Sequence, residues 1–150
     1  MIAGQASLSR DRINQEDRYV YENMGPGMNM GMPDVCNTPT PVGPVPIPYP
    51  NIAMDATAAG GVMNLLVAGL PALNAGSEIT VSNGDNAGAA GGVVSGMMMG
   101  PTRFMVGSVT VMGDGMPIQH MTSVTGQNGM SPNCPGVAMV PGQFTVLVMS

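Results

Sequence analysis

The sequence predicts an all-β fold of short strands around a narrow core, and three observations carry that prediction. Val-x-Val alternation recurs at Ile79-Thr80-Val81, Val109-Thr110-Val111 and Phe144-Thr145-Val146-Leu147-Val148, the period of a strand with one buried face. Turn residues bound each run: Asn83-Gly84-Asp85, Gly113-Asp114-Gly115 and Pro141-Gly142. No segment after residue 33 keeps a helical period for three turns. Gly (22) and Pro (14) are abundant, but only 9% of residues are charged and 44% are hydrophobic, the reverse of a disordered chain. With no Trp, two Phe and three Tyr, bulk must come from Val, Ala and the 17 Met, flexible fillers of irregular gaps.

Taken in order, residues 1–23 stand apart. They hold Arg10, Asp11, Arg12, Glu16, Asp17, Arg18 and Glu22, while Leu8, Ile13 and Val20 make no clean stripe; a marginal helix or disordered arm is expected. Met24 to Met32 reads as a glycine-punctuated linker, giving a division at 1–32 and 33–150. Pro44-Val45-Pro46-Ile47-Pro48-Tyr49-Pro50-Asn51 alternates proline around one tyrosine. Proline fixes φ and lacks a donor, so this run must be extended and must lie along a partner surface. Gly-Leu/Met-Pro recurs at residues 31, 69 and 115, roughly 40 apart, and suggests three quasi-equivalent walls about one axis. Asp55, Glu78 and Asp114 read as solvated turn residues, and Met97-Met98-Met99 as core filler or a soft contact surface.

Charge excludes several functions. There is no lysine, and beyond Asn23 one arginine, Arg103, faces five acids. Such a body has no electrostatic footprint for nucleic acid or anionic membrane. No basic segment followed by an apolar one marks a signal peptide, so a cytosolic origin without a disulfide framework is expected. The longest apolar stretch, Val62 to Leu73, falls short of the ~20 residues a membrane span needs. No P-loop or Gly-x-Ser-x-Gly elbow is present. A thiol dyad of Cys36 or Cys134 with His120 lacks basic neighbours to activate it, so a non-enzymatic role is expected.

Pro33-Asp34-Val35-Cys36-Asn37-Thr38-Pro39, followed by the Pro46-Ile47-Pro48-Tyr49-Pro50-Asn51 arm, resembles the signature of PAAR-like proteins with the PIPY motif. The similarity continues through Ser82 to Gly88, Gly91 to Gly96, Gly115-Met116-Pro117, Thr125 to Gly129 and Pro141 to Val148. The resemblance implies a small conical, β-helix-like fold with pseudo-threefold symmetry. It also implies a role as the tip of a type VI secretion spike, or of a related contractile injection system or phage-like tail. Such a tip caps one homotrimeric VgrG-type spike protein per copy, leaves the bacterial cytoplasm with it, and pierces the target membrane mechanically. An effector or chaperone would bind the 1–32 arm. A free-standing β-solenoid scaffold or adhesion module is the alternative.

In the PAAR family proper, three histidines and one cysteine hold a metal near the apex. This chain departs from that pattern: Gln127-Asn128-Gly129 stands where a His-Gly would fall, and His120 is the one histidine. Cys36, His120 and Cys134 are then the candidate zinc ligands, short of the four that a closed structural site uses. Cys36 and His120 share a place in the Gly-x-Pro repeat, with Asn74 between them. The competing expectation is a buried free thiol and a hydrogen-bonded histidine.

Overall fold

The computed structural model describes residues 18–149, so the helix-or-arm expectation for residues 1–17 lies outside the described residues. The strands are β1 (Arg18–Val20), β2 (Met28–Thr38), β3 (Val45–Met54), β4 (Ala58–Ala59), β5 (Val62–Val67), β6 (Leu70–Ala72) and β7 (Glu78–Ile79). They continue with β8 (Ser82–Asn83), β9 (Thr102–Val106), β10 (Met112–Gly113), β11 (Met116–Pro117), β12 (Val124–Gln127), β13 (Cys134–Val140) and β14 (Leu147–Met149). The fold is all-β, with a single 3-10 turn among the described residues, at Asp55–Thr57. One eight-stranded sheet runs β4-β7-β9-β12-β13-β2-β3-β8, and β4 follows β3 through that 3-10 turn. The sheet therefore curls back towards its own beginning. Three separate antiparallel pairs, β5-β6, β10-β11 and β1-β14, complete the fold.

A triangle of backbone hydrogen bonds organises these pairs. Glu22 N–H donates to Gln119 O (3.0 Å), Gln119 N–H to Leu73 O (2.9 Å), and Leu73 N–H to Glu22 O (3.2 Å). The flanking residues repeat the pattern as bridges: Tyr21 with His120, Asn23 with Ala72, and Asn74 with Ile118. A second triplet follows, from Met24, Ala75 and Met121 N–H to Pro71, Pro117 and Val20 O at 3.0, 2.9 and 2.8 Å. Each side of the triangle feeds a strand that leads away from it: β2, β7 or β12. The pseudo-threefold symmetry is thus a property of the backbone.

The walls differ from the Gly-x-Pro prediction in one member. Ala68-Gly69 and Asp114-Gly115 turn the β5-β6 and β10-β11 hairpins, with φ of 51° and 82°, and 51° and 77°, the paired left-handed values of a type I′ turn. Gly31-Met32-Pro33 makes no hairpin; it sits at a register shift inside β2, with a cis Met32-Pro33 bond. The third wall is instead β1 against β14, pairing Tyr19 with Val148 and Val20 with Leu147. β2 runs unbroken across 32/33 from Met28 and buries Asn29 and Gly31 alternately. Removing residues 1–23 would take away β1 and the ring residue Glu22.

None of the three alternating runs is a continuous strand: β7 ends at Ile79, residues 109–111 form no strand, and β14 starts only at Leu147. Ser108 Oγ accepts from Thr110 and Val111 N–H, at 3.3 and 3.0 Å. Gln143 Oε1 likewise accepts from Thr145 and Val146 N–H, both at 2.7 Å. A side chain that captures backbone donors competes with ladder bonds and makes a turn.

The core is narrow, as predicted, but differently filled. One cluster holds Tyr21, Val62, Val67, Ala72, Ile118 and Val148; the other holds Ala53, Ala58, Leu73, Ile79 and Phe104. Methionine does not fill it: Met63, Met97, Met98, Met112 and Met116 are exposed, and Met24 only packs against the second cluster. Much of the interior is polar instead, with Asn23, Asn29, Asn51, Gln119, Gln127 and Asn128 all buried. Buried backbone in tight turns needs partners, and side-chain amides both donate and accept.

Candidate functional site

At the far ends of β2 and β12, away from the triangle, scattered motif residues converge. Asp34 and Cys36 lie two apart on β2 and so share one face. Asp85 comes from the segment after β8, and all three are fully buried. Asn83-Gly84-Asp85 is not the tight hairpin turn its sequence suggests. Gly84, at φ +124°, passes so close to the Pro50 carbonyl that no Cβ would fit, and this delivers Asp85 inward.

Three amides hold the two carboxylates. Asn51, from the proline-alternating run, donates to Asp34 Oδ2 at 2.8 Å. Asn128 Nδ2 reaches Asp85 Oδ2 at 2.8 Å and Asp34 Oδ2 at 3.1 Å. Asn133 Nδ2 donates to Asp34 Oδ1 and to Val35 O. Two of these amides cannot turn round. Asn128 Oδ1 accepts from Gly100 N–H at 2.9 Å, and Asn133 Oδ1 from Val94 and Ser95 N–H at 2.8 and 3.2 Å. Met99 N–H adds a bond to Asp85 Oδ2 at 3.1 Å.

The Cys36 thiol donates towards Asp34 Oδ1 (3.5 Å) and Asp85 Oδ2 (3.7 Å). Burial, with the charges of Asp34 and Asp85 beside it, pushes this thiol up to about 12. Burial and the same two carboxylates push Cys134 up to about 12 as well. Burial raises Asp85, opposed by the Met99 N–H bond. Both cysteines therefore stay protonated at neutral pH, the opposite of an activated nucleophile.

The ligand atoms of Asp34, Cys36 and Asp85 lie within 4.8 Å of one another, a group that can bind a metal. The structure does not bring His120 to it. His120 stacks on Tyr19 with centroids 4.5 Å apart, its Nδ1 lies 2.8 Å from Met121 O, and it pairs with Tyr21 in the triangle. Its equivalents about the axis are Asn23 and Asn74, not Cys36. The Cys36–His120–Cys134 set thus does not gather within ligand reach among the described residues. Asp34, Cys36 and Asp85 could hold a metal only in competition with bonds they already make. Their acceptors already face amide donors fixed by backbone, which a metal would have to displace. Asp34 and Asp85 had no local signal; only their place in the family motif marks them.

The proline-alternating run is β3. Residues 45–49 and 51–54 pair antiparallel with β2, and only Ile52 and Ala53 pair on the other side, with β8. Pro46, Pro48 and Pro50 are exposed, Ile47 and Tyr49 half-buried, and Tyr49 Oη bonds Thr38 Oγ1 at 2.7 Å. A strand without donors at alternate positions leaves an edge that another chain cannot extend.

At the triangle end the three walls carry matching apolar side chains. Leu66, Met112 and Leu147 stand opposite Pro71, Pro117 and Val20. They are 61%, 56% and 45% exposed. Leu70 and Met116 repeat the arrangement one position on.

A family model described as Toxin PAAR-like domain matches residues 27–136, and the chain belongs to that family. No curated protein and no solved structure matches the chain.

Proposed function

We propose that this chain is a non-enzymatic spike tip, seated by its three walls on the blunt end of a homotrimeric VgrG-type spike of a type VI secretion system. The observation that carries this reading is the threefold triangle with Leu66, Met112 and Leu147 exposed at equivalent positions. One monomer that repeats the same apolar contact three times matches three identical subunits, and exposed apolar groups arranged this way mark an interface. Main-chain pairing at the short wall strands adds to the contact. The opposite end is the point, locked by the carboxylate–thiol–amide cluster without need of a metal. The chain travels from the bacterial cytoplasm with the spike, and residues 1–17 are the contact for an effector or chaperone.

The test mixes the chain with its cognate spike trimer and counts copies by native mass spectrometry. One chain per trimer is expected. Leu66→Glu with Met112→Glu should weaken binding at least about tenfold while the melting temperature stays near that of the parent. Unchanged binding by that variant, or assembly of the chain with itself instead, would overturn the proposal.

A further inference from the structure

We propose that Glu22, Asn23, Asn29 and Asp55 form a binding site for a hard divalent cation, calcium, in the dry interior between the triangle and the start of β2. All four residues are buried, Glu22, Asn29 and Asp55 completely. Both oxygens of Glu22, Oδ1 of Asn23, Oδ1 of Asn29 and Oδ2 of Asp55 have no hydrogen-bond donor. Buried polar atoms are almost always partnered, and an orphaned carboxylate is among the costliest exceptions. The Asp34–Cys36–Asp85 cluster has no such orphan, since its amides and Met99 N–H together meet every carboxylate oxygen. Unmet negative charge is therefore concentrated at Glu22 and Asp55.

Contacts link these residues pair by pair. Asn29 Nδ2 donates to Asp55 Oδ1 at 2.6 Å, which brings the Asn29 side chain against the carboxylate. Asn23 Nδ2 is taken by Val67 O at 2.8 Å, so its oxygen faces the other way, towards Gly25 and Gly142. Three glycines open the space: a Cβ on Gly27 would collide with Asp55 Oδ2, and one on Gly25 or Gly142 with Asn23 Oδ1. Asp55 and the Gly142 backbone in turn lie close enough to Glu22 to shift its titration. Neither Arg103, which pairs with Glu78, nor His120, which stacks on Tyr19, contributes.

One proton shared by Glu22 and Asp55 satisfies two of the five oxygens at most; a cation held between the two carboxylates would satisfy more. The donors are two carboxylates and two amide carbonyls, with no sulfur and no imidazole, which selects a hard ion. A fully buried site leaves little room for the several waters magnesium keeps, while calcium accepts protein oxygens in flexible geometry. Such an ion ties the segment that enters β2 to the turn after β3 and to Gly142.

The test is metal analysis of the purified chain, with thermal melts in EDTA, in calcium and in magnesium. One calcium per chain is expected, with a melting temperature that drops in EDTA and returns with calcium but not with magnesium. Asp55→Asn should weaken calcium binding at least about tenfold, and Asp34→Asn should leave it unchanged. Should Asp55→Asn fail to fold, the EDTA and calcium melts of the parent chain still decide. A chain that carries no calcium and melts identically in EDTA and calcium would overturn the site and leave a shared proton in its place.

Discussion

Asn128 and Asn133 decide the chemistry of the tip cluster, because each has its oxygen fixed by backbone N–H and only its amide nitrogen left to offer. That choice turns two carboxylates and a thiol into a filled hydrogen-bond network. Glu22 has no such amide and Asp55 has only Asn29, so burial dominates both. Burial first, then the charge of Asp55, lifts Glu22 from 4.5 to about 9; burial lifts Asp55 from 3.8 to about 6. Both folded values exceed the unfolded ones, so the native state holds protons that the unfolded chain releases. The contribution of this pair to stability in metal-free buffer is therefore greatest below about pH 4. It should fall as pH rises towards 9, by on the order of a few kcal/mol. Urea titrations in EDTA at pH 5, 7 and 9 check this; a flat or rising midpoint would contradict it. Asp55 also shows what local sequence conceals. Nothing around it distinguishes it from exposed Asp114, and only the 3-10 turn after β3 carries it inside.

Among elements, the hairpins show where sequence speaks most clearly. Gly-Leu-Pro and Gly-Met-Pro marked the β5-β6 and β10-β11 turns because a type I′ turn needs glycine at its second position. The third wall was illegible, since β1 and β14 come from opposite ends of the chain and share no turn to leave a signature. Val109-Thr110-Val111 and Phe144-Thr145-Val146 alternate like strands but are captured by Ser108 and Gln143, a preference that periodicity does not register. The proline-alternating run was legible as an extended arm, though its depth, with Asn51 buried against Asp34, was not. A stability prediction follows at this scale. Ala68 sits at φ 51°, where a Cβ is strained and asparagine is preferred. Ala68→Asn should stabilise the fold by about 0.5–1 kcal/mol, read as a shift in denaturation midpoint against Asp114→Asn as a near-neutral control.

Across the whole molecule, fold class and family were readable because strand alternation, glycine turns and the PIPYPN run agree. The polar interior was not, since it depends on which amides the tertiary turns recruit. The pairing of β1 with β14 has one more consequence. Arg18 lies opposite Met149 where the other two walls have a two-residue turn. The backbone is thus a closed circuit interrupted at one of three interchangeable corners, and its starting point is incidental to its shape. A circular permutant that joins residues 149 and 18 through Asn-Gly and opens between Asp114 and Gly115 should fold to the same structure. Matching amide fingerprints by NMR would establish that equivalence, and a permutant that stays unfolded would show that one corner is privileged.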